Sequence, residues 1–213
     1  MKPDRSNSPL LNGVGGLHGR FVHKRRTRRL AAAVSNALPS DPEPESALDI
    51  GCGDGTIAAL LHELRPGVSI HGAETQPRPT CAIECTAFDG LRTPFDDAAF
   101  DACLLIDVIH HSGDAAALLR EAARCARRCV IVKDHVCSGR VDRLTLRFMD
   151  WVGNRPQEVA LPYNYLPAAG WTDLFTAAGL KPTYRQTRLG LYPFPCNLVF
   201  GRKLHFIARL EAT

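Results

Sequence analysis

Residues 48–56 read LDIGCGDGT, an apolar run that breaks into three glycines, each separated by one residue. Nothing else in the chain restricts its fold as strongly. The run closes a short strand (47–50), and an apolar helix (57–64) follows at once. Gly51 and Gly53 let the backbone turn tightly and approach a ligand, and the first amides of the helix then face it. Glu74 lies about twenty residues further on, at the end of the next strand (68–74). A carboxylate there can accept hydrogen bonds from ribose hydroxyls.

The rest of the chain keeps this rhythm. Strand patterns occur near 83–87, at 100–108 and at 129–134, with an amphipathic helix at 115–127. A helix at 171–179 is closed by Gly179. Strands at 183–189 and 204–210 follow. Alternating strands and helices imply a parallel sheet covered on both faces. The last two strands have no helix between them, so they can pair antiparallel at one edge. Residues 137–170 interrupt the alternation.

The charge is uneven. Residues 1–30 hold eight basic residues against one acid, while the other 183 hold 18 basic against 21 acidic. The predicted organisation is a flexible tail (1–19), a basic helix and linker (20–45) and one α/β domain (46–213). The basic run HKRRTRR (23–29) reads mainly as a solvated helix face. It also carries two lesser readings, a phosphate-binding surface and a segment that closes a site through Arg20, Phe21 or His23. No run reaches the ~18 apolar residues of a membrane span, and no secretory h-region opens the chain. The eight cysteines form no CxxC pair. They read as reduced, mostly buried thiols in a cytoplasmic protein, with no metal centre expected. Cys81 and Cys85 are spaced so that one helix face can bring them together.

In the dinucleotide fingerprint GxGxxG/A the last position is Thr56 in this chain, and the third glycine is instead Gly55. The GxGxG form preceded by Asp49 is similar to the first motif of class I S-adenosylmethionine-dependent methyltransferases. The segment FDGLRTPFDDAAFDACLLIDVIHH (88–111) resembles the continuation of the small-molecule branch of that family. The resemblance covers about residues 40–210. It implies a Rossmann-like, doubly wound, seven-stranded sheet, mostly parallel with an antiparallel last strand, and helices on both faces. It also implies S-adenosylmethionine as cofactor and S-adenosylhomocysteine as product.

Roles follow from the resemblance position by position. Gly51 and Gly53, with Cys52 between them, would pass under the methionine part of the cofactor. Asp49 would help to hold its amino group. Glu74, followed by Thr75, would bind the ribose. Asp89 would accept from the adenine amino group, flanked by Phe88 and Gly90. Asp107, Val108 and His110 would lie under the cofactor at the end of the fourth strand. The plain structural alternatives are a tight turn for the glycines and surface or turn carboxylates for Glu74 and Asp89.

Methyl transfer from a sulfonium needs alignment and exclusion of water more than any particular side chain. A base helps when the acceptor carries a proton of high pKa. His110 and His135 are the candidate bases, with Asp134 to orient one of them. The alternative is that these histidines only line the site. Residues 137–170 are the expected substrate lid. His111, Arg147, Trp151, Tyr163 and Tyr165 are the candidate acceptor contacts, although Phe148 and Trp151 also read as anchors for the insertion. The expected partner is a small-molecule acceptor in secondary or specialised metabolism. Nucleic acid is disfavoured because the Asn/Asp-Pro-Pro-aromatic signature is replaced by DVIHH. An RNA or protein methyltransferase and a non-catalytic S-adenosylmethionine-binding protein are the rival functions. Nothing in the sequence fixes an oligomeric state.

Overall fold

The computed structural model describes residues 9–154 and 163–213, with side chains for 22–152 and 163–213. Seven strands form one sheet: β1 (Ser46–Ile50), β2 (Ser69–Glu74), β3 (Cys85–Ala87), β4 (Phe100–Ile106), β5 (Ala126–His135), β6 (Leu180–Gln186) and β7 (His205–Ala212). Their order is β3-β2-β1-β4-β5-β7-β6. β1 pairs parallel with β2 and β4, and β4 pairs parallel with β5. β7 runs antiparallel to both β5 and β6. The expected antiparallel pairing is present, but β7 sits inside the sheet and β6 forms the edge.

The helices are α1 (Pro9–Ala37), α2 (Thr56–Leu64), α3 (Ala115–Cys125), α4 (Arg140–Asn154), α5 (Ala168–Ala177) and α6 (Cys196–Phe200). α1 starts at Pro9, well before residue 20, so part of the expected tail is helical backbone; proline suits a first helical turn. Residues 1–8 and the 155–162 portion of the expected lid lie outside the described residues, as do the side chains of Arg20 and Phe21. α4 lies within the expected lid, and the short α6 falls between the last two strands, where no helix was expected. Among the described residues no helix is long and apolar enough to cross a membrane.

Alternation along the strands divides the core between the two faces. Leu48, Ile50, Cys103 and Leu105 pack with Leu118, Leu119, Trp171 and Phe175 of α3 and α5. Ala47, Ala102, Leu104 and Ile131 pack with Leu30, Val34, Leu38 and Leu61 of α1 and α2. α1 is therefore bound to the domain by a buried apolar stripe, although its outer face carries the basic run. Asp114 caps α3, accepting from the Ala117 amide at 2.9 Å, a contact worth about 1 kcal/mol. Asp101, near the start of the central strand β4, braces the end of the sheet opposite the strand carboxyl ends. It accepts from the Glu45 amide at 2.8 Å and pairs with Arg127.

Strand order reverses between β1 and β4, and a ligand crevice opens at such a point beyond the strand carboxyl ends. Trp171 ties the neighbouring elements together there. It is 1% exposed, its Nε1–H donates to the His135 carbonyl at 2.8 Å, and its ring stands edge-on to Phe206. Trp171→Ala leaves a cavity and an unpaired carbonyl, and is expected to cost about 3–5 kcal/mol. Urea denaturation followed by far-ultraviolet circular dichroism measures this.

Candidate active site

The glycine turn leaves β1 with the Gly51 amide donating to the Ala73 carbonyl at 2.7 Å. Gly51, Gly53 and Gly55 all have φ between 60° and 76°, in the left-handed region that favours glycine. A Cβ on Gly51 would lie 2.3 Å from Cγ2 of Val108, so β1 and the end of β4 approach too closely for any side chain. A Cβ on Gly53 would meet nothing within 4 Å, which leaves that peptide open on its outer side.

Two carboxylates frame the turn. Glu74 accepts from the Gly53 amide at 3.0 Å through Oε2, and from the Thr75 amide and hydroxyl at 2.7 and 3.0 Å through Oε1. It thereby fixes the loop as well as bordering it. Asp49 is 3% exposed, and its Oδ1 has no hydrogen-bond partner among the described residues. Burial, with the nearby Glu74 charge, pushes its carboxyl up to about 7. A buried carboxylate oxygen without a partner calls for a cation or donor from a ligand. Asp89 is exposed and caps its own turn, accepting from the Leu91 and Arg92 amides at 2.8 Å each. Those two hydrogen bonds hold its carboxyl below the usual range. Phe88 packs on the core beside it, and Gly90 turns with φ 86°.

Cys52 belongs to a group of three thiols. Cys52, Cys81 and Cys85 offer sulfurs within 4.8 Å of one another, with Cys52 and Cys85 at 3.5 Å. Cys81 lies in a turn and Cys85 in β3, not on one helix face. All eight cysteines are free, and four of them are buried.

Beyond β4 and β5 the polar side chains converge. His110 stands in a single 3₁₀ turn (Ile109–His111) and is 1% exposed. Its Nδ1 lies 2.7 Å from Oδ1 of Asp134, a wholly buried carboxylate. His135 Nδ1 lies 3.2 Å from the same oxygen. Burial opposes charge on both partners, but their mutual attraction prevails: the Asp134 carboxyl is held far below its ordinary range and His110 is raised. His135 is lowered, by burial and then by Lys133. His111 is lowered, by burial and then by His110. Nε2 of His110 lies on the other side of the ring, 3.5 Å from Asp150 of α4, an ion pair when the imidazole is protonated. Tyr165 donates its hydroxyl to Asp150.

The expected acceptor contacts divide. His111 and Tyr165 join the cluster around His110, with ring centroids 4.0 and 5.8 Å from it. Tyr163 packs 6.2 Å from Tyr165, and the Arg147 guanidinium lies over its outer face at 4.7 Å. Trp151 is 48% exposed. Asp107 turns with φ 57° and pairs with Lys133 and with Arg26 of α1. Burial opposes its ionisation, but Lys133 and Arg26 overcome this and hold it well below the carboxylate range. Arg26 was read from the sequence as solvated, whereas its guanidinium reaches the end of β4. His205 also belongs to this cluster, 5.0 Å from His135 between ring centroids. The signal for the network was present in CVIVKD, where a lysine interrupts an apolar strand.

The sheet order, the glycine turn and the two framing carboxylates define the class I methyltransferase fold. The methyltransferase-domain family model matches residues 21–184, and the chain belongs to that family. It is 30% identical over 132 residues to the demethylmenaquinone methyltransferase of Corynebacterium kroppenstedtii, covering 59% of this chain. The chain spans about half the length of that curated relative, since the match covers 51% of it. Among solved structures, a S-adenosylmethionine-dependent methyltransferase from Thermotoga maritima matches with a TM-score of 0.63 and 21% identity, over 96% of this chain and 99% of that one. The mitomycin 7-O-methyltransferase MmcR matches with a TM-score of 0.62 and 21% identity, over 88% of this chain and 54% of its own.

S-adenosylmethionine is the cofactor that this family implies, and the residues present fit it. Asp49 offers an unpartnered buried oxygen to an ammonium, Gly53 an open peptide and Glu74 a fixed carboxylate. Glu74→Ala removes the anchor of Gly53 and the carboxylate that it offers to a ribose. It should weaken S-adenosylhomocysteine binding roughly 10–100-fold in a calorimetric titration, the loss expected for a hydrogen bond to a charged group. Asp49 must be ionised to hold an ammonium. Affinity should therefore rise with pH and level off above about 7. Binding near pH 6.5 should release a proton, read from calorimetry in buffers of different ionisation enthalpy. Asp49→Asn should abolish both effects.

Proposed function

We propose that this protein transfers a methyl group from S-adenosylmethionine to a hydroxyl of a small-molecule acceptor in specialised metabolism. The observation that carries the reading is the buried His110–Asp134 pair, 2.7 Å apart, with Nε2 of His110 making no hydrogen bond among the described residues and lying 3.5 Å from Asp150. A hydroxyl keeps its proton at neutral pH, so a base is useful to it, as it would not be to a thiolate or a free amine. The names of the relatives support a small-molecule acceptor: one is a 7-O-methyltransferase, one acts on demethylmenaquinone and one is named as a possible histamine N-methyltransferase, so the choice of oxygen rests on the His110–Asp134 pair.

The residues divide the work as follows. When bound, S-adenosylmethionine supplies a methyl already activated by its sulfonium. Asp49 and Glu74 hold the cofactor's amino and ribose groups, and the Gly51–Gly53 turn lets the backbone come close. Asp134 orients His110 and stabilises the imidazolium that forms when Nε2 takes the acceptor proton. His135 shares the Asp134 carboxylate and fixes its position. Tyr165, Asp150 and His111 close the space around Nε2 and keep water out.

His110→Ala should lower kcat by roughly 10²–10⁴, the range for loss of a positioned base. S-adenosylhomocysteine affinity should stay nearly constant. In the unaltered enzyme kcat should rise with pH as His110 loses its proton, above the ordinary histidine range because Asp134 holds that proton. A His110→Ala enzyme with unchanged kcat on a hydroxyl acceptor overturns the assignment. Acceptors are found by screening for S-adenosylhomocysteine release.

A further inference from the structure

α4 carries its apolar stripe on the outside. At 100° per residue, Val141, Leu144, Phe148, Trp151 and Val152 share one side of the helix. They are 64%, 68%, 53%, 48% and 53% exposed. The opposite side carries Leu146 and Asp150, both buried. A surface helix of a globular protein normally has the reverse arrangement. α6 extends the patch, because Phe148 stacks on Phe200 at 6.3 Å and the neighbouring Phe194, Leu198 and Val199 are exposed. Apolar surface gathered from two elements marks an interaction site.

The charge beside the patch names the occupant. Arg140, Arg143 and Arg147 form an exposed band along one flank of the stripe, and Arg202 and Lys203 lie exposed after α6. The acids of α4 do not offset the band. Asp142 lies 3.4 Å from Arg202, and Asp150 is turned inward. Phe and Trp beside an arginine flank is the pattern of a helix that lies in a membrane interface, with its apolar side in the acyl boundary and its cations among headgroups. A second copy of the chain suits the face less well, since a two-fold contact would bring two arginine bands together. Nucleic acid would pair the arginines and leave the apolar side chains without a partner.

We propose that the α4–α6 face docks on an anionic lipid bilayer. α4 then lies in the interface plane, with its outer side in the lipid and its inner side holding Asp150 over His110. The inference is independent of the methyl-transfer reading, because it rests on the outer surface alone.

The test uses the full chain with vesicles of phosphatidylglycerol and phosphatidylcholine, against vesicles of phosphatidylcholine alone. The chain has two tryptophans, and Trp171 is buried, so a blue shift on binding reports Trp151. Binding and a blue shift are expected on the anionic vesicles, with little of either on the neutral ones. Phe148→Asp should weaken binding at least tenfold. Arg140→Gln and Arg143→Gln should each weaken it about fivefold. These side chains are exposed, so circular dichroism should show unchanged folding. Trp151→Phe should keep binding and lose the shift. No binding to anionic vesicles at low salt overturns the proposal, as does binding that Phe148→Asp leaves intact. Failure of acrylamide to quench Trp151 in vesicle-free protein also overturns it, because the face is then covered by the chain itself. A dimer that Phe148→Asp dissociates, with no vesicle binding, assigns the face to a second copy instead.

Discussion

Lys133 has no solvent exposure, and its ammonium must find a counter-charge inside the protein. An unpaired charge at such a depth would cost several kcal/mol. Asp107 supplies the partner and takes a left-handed backbone conformation, which a non-glycine residue adopts only when its surroundings hold it there. The same carboxylate receives Arg26 from α1. One acid thus brings the carboxyl ends of β4 and β5 and the first helix to a single point. The residues that follow inherit their positions from it. Val108 lies against Gly51, and His110 against Asp134.

The fold was largely legible because its signals are local. The glycine turn, the apolar strands and the acid at Glu74 all lie within short windows. The pairing partners were less legible. Asp134 and His110 stood out by residue type, but only parallel pairing of β4 with β5 brings their side chains together. Arg26 was hidden by its company. It is one of several cations in HKRRTRR, and only the buried stripe of Leu30, Val34 and Leu38 decides which of them turns inward. Asp150 reaches His110 across 40 residues and the whole of α3 and β5, a separation that no spacing rule covers. Which of the last two strands faces β5 was open for a related reason. Their patterns implied antiparallel pairing at one edge, but neither their order nor the short α6 between them.

α4 joins two surfaces with opposite demands. Its inner side closes a polar cluster that works best without water, and its outer side exposes the apolar groups that a helix usually buries. A buried position requires packing, whereas an exposed apolar one is kept only if something covers it part of the time. The two sides are half a turn of helix apart, and Asp150 is followed directly by Trp151 on the outer side.

The insertion of β7 between β5 and β6 also sets an order of assembly. β6 is made first, yet its one strand partner among the described residues, β7, is made after it, and β6 joins the sheet only through β7. The parallel strands β1 to β5 can associate while the chain is still growing, before β7 is available to cover β5. Until then β5 presents an open, strongly apolar edge, the kind of edge that invites pairing with other chains. The cell therefore meets this protein at its most aggregation-prone just before β7 closes the sheet.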